Sequence, residues 1–521
     1  MQPTREVIIV GGGTAGWLAA ARLGALSRGR LNITLIESPN IPTVGVGEGT
    51  WPSMRSTLQA CGLSEIEVLR ECDASLKQGT LFSGWRNGAP GDEYIHPFSL
   101  PADYGSCNLA EYWHHGACSG VFGDVVTPQS AVAKIGKAPK AADTPDYAFA
   151  VNYGYHFDAV KFAALLSRHA VQNLGVRHLV DEVVGCRADA EGFIAQVILK
   201  TEAPVSGDFF LDCSGQRALL IGDHYGEPLQ SVRHVLPNNR AVVAQVPYAN
   251  ADDEIHSCTR STAASTGWIW DIGLQSRRGV GYVHDGDVIT QDEAREELEH
   301  YIAKTAPTGI TEQLRYRTLH FDPGYRDRPW RGNAVAIGLS AGFIEPLEAS
   351  ALAMIEQAVN FLCDSFPDCR DLMGPASRRF NAKMRDHWGT ILEFLKLHYV
   401  LSERDDSPYW RRARDVDGAP EALLDKLALW RVRAPWHEDA PRLDGLFPVA
   451  SYQYVWLGMG GHQRQDRAGN AFMSDITDTS RLDKALNGVR ERSLQLQRVL
   501  PSNRQLLNTL IQKSSVNTAG I

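Results

Sequence analysis

The feature that most constrains this chain lies near its start. Gly11-Gly12-Gly13-Thr14-Ala15-Gly16 is a G-x-G-x-x-G loop. Before it stands Glu6–Val10 (EVIIV), a short β-branched run suited to a buried parallel strand. After it, residues 17–23 (WLAAARL) are good helix formers, and residues 33–36 return to strand character and end at Glu37. A strand, a glycine turn, a helix and an acidic residue about twenty positions on form a dinucleotide-binding opening. Gly11 permits the tight turn, Gly13 lets backbone approach a pyrophosphate, and Gly16 lets helix and strand pack closely. The helix N-terminus offers free N–H groups and a positive dipole end. Thr14 and Ala15 complete the loop, and Glu37 can accept hydrogen bonds from ribose hydroxyls. The plain alternative is a glycine turn with no ligand; a bare G-x-G-x-x-G would leave it a serious rival, and the flanking strand, helix and Glu37 favour the dinucleotide reading over it.

Composition narrows the class. The chain has 521 residues, 44% hydrophobic and 22% charged, enough apolar matter for a sizeable core. Its net charge of −9 argues against nucleic-acid binding. Nine Cys are scattered without a Cys-x-x-Cys or a Cys/His cluster at zinc spacing, so neither a metal nor a disulfide frame is expected. No apolar run reaches the roughly 18 residues a spanning helix needs. The first residues lack a signal peptide's apolar stretch. A cytoplasmic chain, off the membrane, is the expectation.

Further along, residues 45–60 read as a Gly/Pro loop running into a helix, and residues 80–150 as an irregular, functional insertion. Helical spacing over 157–170 is followed by strand-like runs at 176–180, 193–199 and 208–212. Residues 240–285 read as strands, 335–339 as another, and 349–362 as a helix. Beyond 375 the chain reads as mostly helical, with one long terminal helix near 484–511. No second dinucleotide fingerprint follows, since Gly458-Met459-Gly460-Gly461 does not complete the spacing. The strand before Gly338-Leu339-Ser340-Ala341-Gly342 could present another helix N-terminus to a flavin. Asp212-Cys213-Ser214-Gly215 likewise ends a strand with a turn. These features favour one FAD and no bound nicotinamide.

A set of motifs in a defined order is more specific. Gly11–Gly16 runs into Trp17; then come Gly45-Val46-Gly47-Glu48, Lys77 and Gly267-Trp268-Ile269-Trp270-Asp271-Ile272. Further matches are His96-Pro97-Phe98, Tyr155-His156-Phe157-Asp158, Asp212-Cys213-Ser214-Gly215, Glu345-Pro346-Leu347-Glu348, His398-Tyr399 and Asp406-Ser407-Pro408-Tyr409-Trp410. To about residue 460 the chain resembles the flavin-dependent tryptophan halogenases.

The resemblance implies an α/β fold. A Rossmann-like FAD-binding module of the flavin monooxygenase type would carry a largely helical substrate-binding portion. The whole of 1–521 would be one halogenase module, with FAD segments near 1–80, 150–225 and 310–365. Substrate segments would lie near 81–149 and 366–521. Gly11, Gly13, Thr14, Ala15, Gly16, Glu37, Gly47 and Leu339 would hold the flavin. It would be used as FADH2 from a separate flavin reductase, with O2 and chloride or bromide as co-substrates. Lys77, which spacing alone would leave as a solvated lysine, would point into a tunnel and deliver the electrophilic halogen. Glu348, otherwise a helix-start carboxylate, would lie across that tunnel and polarise hypohalous acid or take the ring proton. Ser350 and Ala351 would line the halide position. Trp268 and Trp270 share one strand face and would wall the flavin side, whether or not they also pack as core. His96, Pro97 and Phe98 would sandwich a small aromatic substrate, with Phe447, Tyr452 and Tyr454 on the opposite wall. A homodimer is compatible with such a chain, although no residue shows it.

Three departures stand out. Gly273 replaces the signature's final proline, which makes the strand end looser. After Glu348, Ala349 replaces a hydroxyl and so removes one tunnel-lining group, and Ala351 replaces a glycine, which bears on halide preference. No pattern for the amino and carboxylate groups of free tryptophan is recognisable, which points to indole or another electron-rich arene. The competing classes are a flavin-dependent aromatic monooxygenase that needs no halide and a non-enzymatic flavin-binding protein. The latter does not explain Lys77, Glu348 and the paired Trp together.

Overall fold

The computed structural model describes every residue except 1–2, 42–44, 46, 308, 441–444, 465–478 and 519–521, so Val46 of the second motif lies outside the described residues. The chain divides into two compact units. The first comprises residues 1–74, 157–232 and 322–388; the second comprises 75–156, 233–321 and 389–521.

The first unit is built on a six-stranded sheet. Its order is Trp330–Arg331, Ala334–Ala336, Phe209–Asp212, Glu6–Val10, Asn32–Glu37 and Arg177–Val180. All neighbours are parallel except the edge strand Trp330–Arg331, which returns antiparallel through a tight turn. The central strands read as continuous apolar runs because helices cover the sheet. On one face Ile8, Val10, Ile36 and Phe210 join Val183, Val197 and Leu220 in a buried core. Thr14–Ser27 packs with Ala159–Asn173 and Ser350–Asp364, burying its small residues Ala19, Ala20 and Ala21. Those alanines let the helices approach closely.

The second unit is built on a seven-stranded sheet. Its order is Arg317–His320, Arg240–Pro247, Arg277–His284, Gly267–Gly273, Thr259–Ala264, Gly79–Ser83 and Glu93–Pro97. Only the pairing of Thr259–Ala264 with Gly79–Ser83 is parallel. One face is closed by the helix Gln291–Thr305, which drops Ala294, Leu298 and Ile302 onto Val242, Ile269 and Tyr282. A short strand, Ser75–Lys77, pairs antiparallel with residues 154–156.

The long terminal helix expected near 484–511 is two helices, Ser480–Val499 and Asn503–Thr518. Pro501 explains the break. It has no N–H to continue the ladder, and it drives Leu500 into extended backbone at φ −81°, ψ 136°. Among the described residues no helix is long and apolar enough to cross a membrane.

Candidate active site

The glycine loop of the first unit has the geometry its sequence implies. Gly11 has φ +115°, and a Cβ there would sit 2.1 Å from the Cys213 carbonyl oxygen. A Cβ on Gly16 would sit 2.0 Å from the Gly11 carbonyl oxygen, so only glycine lets helix and strand meet. Over Gly13, by contrast, a Cβ would meet nothing within 4 Å. Gly13 caps Thr14–Ser27 in extended conformation without a side-chain cap bond, so the first-turn N–H groups face open space. Glu37 reaches back over Gly12 and lies 3.0 Å from His178 Nε2. Gly338, at φ +75°, would place a Cβ 2.9 Å from Ala15, so the turn Gly338–Ser340 sits against the loop. Leu339 of that turn is exposed despite being apolar. Gly47 adopts φ +97°, and the next residue, Glu48, has its carboxyl pushed up to about 7 by desolvation. These residues fit a dinucleotide: an open cradle over Gly13, uncapped amides and an acidic strand end.

Glu348 lies in a strained turn of the same unit. Glu348 and Ala349 both hold left-handed backbone, at φ 61° and 55°, which side chains beyond glycine rarely adopt. The turn is pinned by the Trp51 indole, whose Nε1–H donates to the Glu348 carbonyl at 2.7 Å. Glu348 is buried. Directly after it begins the helix Ser350–Asp364, whose N-cap Ala349 supplies no side-chain bond. Ser350 is buried and Ala351 half-buried at the first turn, where backbone amides favour an anion.

In the second unit Lys77 is 1% exposed. Its ammonium lies 5.5 Å from the centre of the Phe98 ring, a cation–π contact. Two neighbours feel its charge. His156 is held well below its ordinary pKa, first by burial and then by Lys77. Burial pushes the Cys258 thiol up to about 12, although Lys77 opposes the shift. Both groups stay neutral at pH 7, so neither neutralises the lysine. The strand that carries Lys77 is clamped. Gln78 donates its N–H to Ser257 O at 2.7 Å and accepts from Phe98 N at 3.1 Å, and Asn503 Nδ2 donates to Leu76 O at 3.0 Å.

Phe98 reaches Lys77 because Gly79–Ser83 and Glu93–Pro97 form a hairpin that pairs Gly79 with Pro97. Gly79 has φ +152°, and a Cβ there would lie 2.3 Å from His96 O. Asn152 Nδ2 donates to Phe98 O at 3.0 Å and fixes the far end. Pro97 is buried, while Phe98 is half-buried.

Trp268 and Trp270 project from one face of Gly267–Gly273, with ring centres 6.3 Å apart. Trp270 lies across Gly281 of the next strand, where a Cβ would sit 2.2 Å from the indole carbons. Trp268 packs on Trp85, which also meets His398, Tyr399 and Trp410. The motifs His398-Tyr399 and Asp406–Trp410 therefore build the interior behind Trp268. The strand end at Gly273 is not loose as the missing proline implied. Gly273 pairs with Arg278, and its carbonyl accepts the Ser75 hydroxyl.

His96 donates or accepts at Ser451 Oγ, 2.9 Å away, and its ring lies 5.8 Å from Phe394 and 6.0 Å from Tyr454. Phe447 stacks on Phe394 at 3.9 Å, and Tyr452 meets it edge-on at 5.1 Å. Three of the expected substrate residues, His96, Phe447 and Tyr452, thus meet at Phe394, which sequence reasoning missed. Its helical spacing to His398 was the available signal. Phe447, Tyr452 and Tyr454 are themselves buried, and the Tyr454 hydroxyl is already used on Ser99 O at 2.9 Å. A second cluster, Glu111, His114 and His115, was also missed, although its Glu-x-x-His spacing stands in the sequence.

A family model described as tryptophan halogenase matches residues 6–474. The chain is 33% identical to 7-chloro-L-tryptophan 6-halogenase KtzR of Kutzneria sp. (strain 744), over 96% of this chain and 98% of that one. The crystal structure of tryptophan halogenase from Shewanella frigidimarina NCIMB 400 superposes with a TM-score of 0.92 at 42% identity, covering 98% of each chain. Tar14, a tryptophan C-6 flavin-dependent halogenase (chlorinase) from taromycin biosynthesis, gives a TM-score of 0.90 at 30% identity, covering 97% of this chain and 99% of that one.

Proposed function

We infer the reaction from one premise: this chain belongs to the tryptophan halogenase family and is a flavin-dependent halogenase. Enzymes of this kind take reduced flavin from a separate reductase. We propose that the flavin is FAD, held by Gly11, Gly13, Thr14, Ala15, Gly16, Glu37, Gly47 and Leu339. When bound and reduced it supplies, with O2, the oxidation of chloride or bromide to hypohalous acid.

The remaining chemistry belongs to the chain's own residues. Lys77 holds hypohalous acid through its ammonium hydrogens. The arene carbon attacks the halogen, the O–X bond breaks, and the hydroxide leaves as water with a proton from Lys77. Glu348 takes the ring proton, which restores aromaticity and completes ArH + HOX → ArX + H2O. Ser350 and Ala351 offer helix-start amides to the halide. The observation that carries the reading is Lys77 itself, a buried ammonium 5.5 Å from the centre of the Phe98 ring, whose charge is felt at His156 and Cys258. A lysine ammonium is a hydrogen-bond donor that can hold the oxygen of hypohalous acid. Trp268 and Trp270 exclude water and second substrates from the flavin side.

The substrate proposed is an indole-like arene seated by His96, Pro97 and Phe98, in front of the Phe447, Tyr452 and Tyr454 wall. Nine free cysteines support a reducing, cytoplasmic setting. A homodimer is compatible with the reading. The test is purified protein with FAD, a flavin reductase, NADH, O2 and indole or tryptophan, with bromide, with chloride and with neither. Mass spectrometry is expected to show a halogen isotope pattern on the ring, lost by at least about a hundredfold in Lys77→Ala. An oxygenated product independent of halide would move the chain to the monooxygenase class. Tight, selective binding of tryptophan over indole would reverse the substrate assignment.

A further inference from the structure

The short helix Ala110–His114 in the second unit carries a cluster with no part in the chemistry above. Glu111 and His114 stand one turn apart, the Glu-x-x-His spacing with which helices present metal ligands, and His115 follows at i+4 from Glu111. One ligand atom from each residue lies within 4.8 Å of the other two.

Glu111 is 6% exposed. Its Oε1 accepts the Ala434 N–H at 2.9 Å. Its Oε2 is buried and no hydrogen-bond donor reaches it, while His115 Nε2 stands 3.7 Å away. A buried carboxylate oxygen without a donor is costly, and an ion would satisfy it. The His114 ring is held by the Val432 backbone carbonyl, which orients its other nitrogen as an acceptor. The two imidazoles meet edge to face with centres 4.7 Å apart. Arg433 does not fill the gap as a competing cation, because it is engaged by Asp439 through bonds of 2.7 and 2.8 Å.

We propose that Glu111, His114 and His115 form a zinc-type divalent metal site. Two imidazoles and one carboxylate suit zinc and its neighbours better than magnesium or calcium. Zinc bonds of about 2.0–2.1 Å require the ligand atoms to close to about 3.4 Å from one another, a matter of side-chain rotation. The backbone of 432–434 already supplies the outer contacts, so the bound ion ties the helix Ala110–His114 to that segment. Its role is structural and independent of the halogenation reading.

The test uses the full chain, stripped with chelator and desalted, then titrated with zinc alone and with cobalt(II) alone. One equivalent of zinc retained through gel filtration, visible cobalt absorption and a rise in Tm are expected. Glu111→Gln and His115→Ala should each weaken binding by about tenfold or more. Absence of saturable binding by the unaltered chain overturns the site, as does equal binding by both variants. The titration of the unaltered chain decides the matter even where a variant fails to fold.

Discussion

Lys77 owes its setting to residues that are far away in sequence. Its ring partner Phe98 arrives through a hairpin, while His156 arrives on the strand Gly154–Phe157 and Cys258 just before Thr259–Ala264. The lysine could be singled out from its position among motifs, but its burial and its cation–π contact could not. Glycines were legible for a different reason: Gly11 needs a positive φ and Gly16 meets the Gly11 carbonyl, constraints within the loop that sequence spacing encodes, even though Cys213 also closes on Gly11. Gly281 was not, because its cause is an indole from the neighbouring strand. Gly281→Ala would push a methyl into Trp270, with contacts of 2.2 Å to be relieved. We expect it to cost about 1–3 kcal/mol in thermal or denaturant melts. Gly185→Ala, where a Cβ meets nothing within 4 Å, is the control and should melt unchanged. A second residue-scale expectation concerns pH. Glu356, at the interior of Ser350–Asp364, accepts Thr57 Oγ1 at 2.6 Å and Ser53 Oγ at 3.0 Å. Burial pushes its carboxyl from 4.5 up to about 7. The folded chain therefore binds a proton that the unfolded chain releases. This group's contribution is greatest below pH 4.5, falls as pH rises to about 7, and is flat above. Relative to the unaltered chain, Glu356→Gln should gain at most about 3 kcal/mol between those limits. Equal pH slopes in the two melting series would count against it.

At the scale of elements, the central strands of the first unit, Glu6–Val10, Phe209–Asp212 and Ala334–Ala336, were readable because they are largely apolar runs between turn residues, whereas the two-residue edge strand Trp330–Arg331 carries no such signal. The terminal helix was misread because Ser480–Val499 and Asn503–Thr518 share helical composition on both sides of Pro501. One residue without an N–H outweighed the propensity of its neighbours. That break places Asn503 at the start of the second helix, fully buried, with its N–H on Gly136 O at 2.9 Å. Its amide then donates to the Leu76 carbonyl beside Lys77. Arg504 next to it donates to Asp253 O at 2.8 Å and to Gln275 O at 2.6 Å. This segment lies past residue 474, where the family match ends. Asn503→Ala removes one donor and opens a small void at the lysine strand. We expect a loss of about 1–2 kcal/mol in stability and a larger loss of halogenated product per flavin oxidised. Asn503→Asp, which keeps the volume but not the donor, should share the product defect. Full coupling in both variants would show that the helix does not support the lysine.

At the scale of the whole molecule, the chain passes from one unit to the other after residues 74, 156, 232, 321 and 388. Interleaved segments are expected from the sequence because its motifs alternate in order along the chain. The extent of the second sheet was less readable. Its strands come from two of the three segments, and Thr259 pairs with Thr80, 179 residues away. The parallel pair Thr259–Ala264 with Gly79–Ser83 is the clearest case, since nothing local to either strand announces the other. From this follows an expectation about fragments. Residues 75–156 contain Lys77, His96 and Phe98, yet their two sheet strands need Thr259–Ala264 as a neighbour. Their aromatics need Phe394 and Tyr454 from the third segment. A two-stranded hairpin alone is marginal in water. Expressed alone, 75–156 should therefore give the poorly dispersed amide spectrum of an unfolded chain. Dispersed resonances from the isolated segment would mean that the lysine and its ring partner are held by local structure alone. The aromatic wall would then be a lining and not a support.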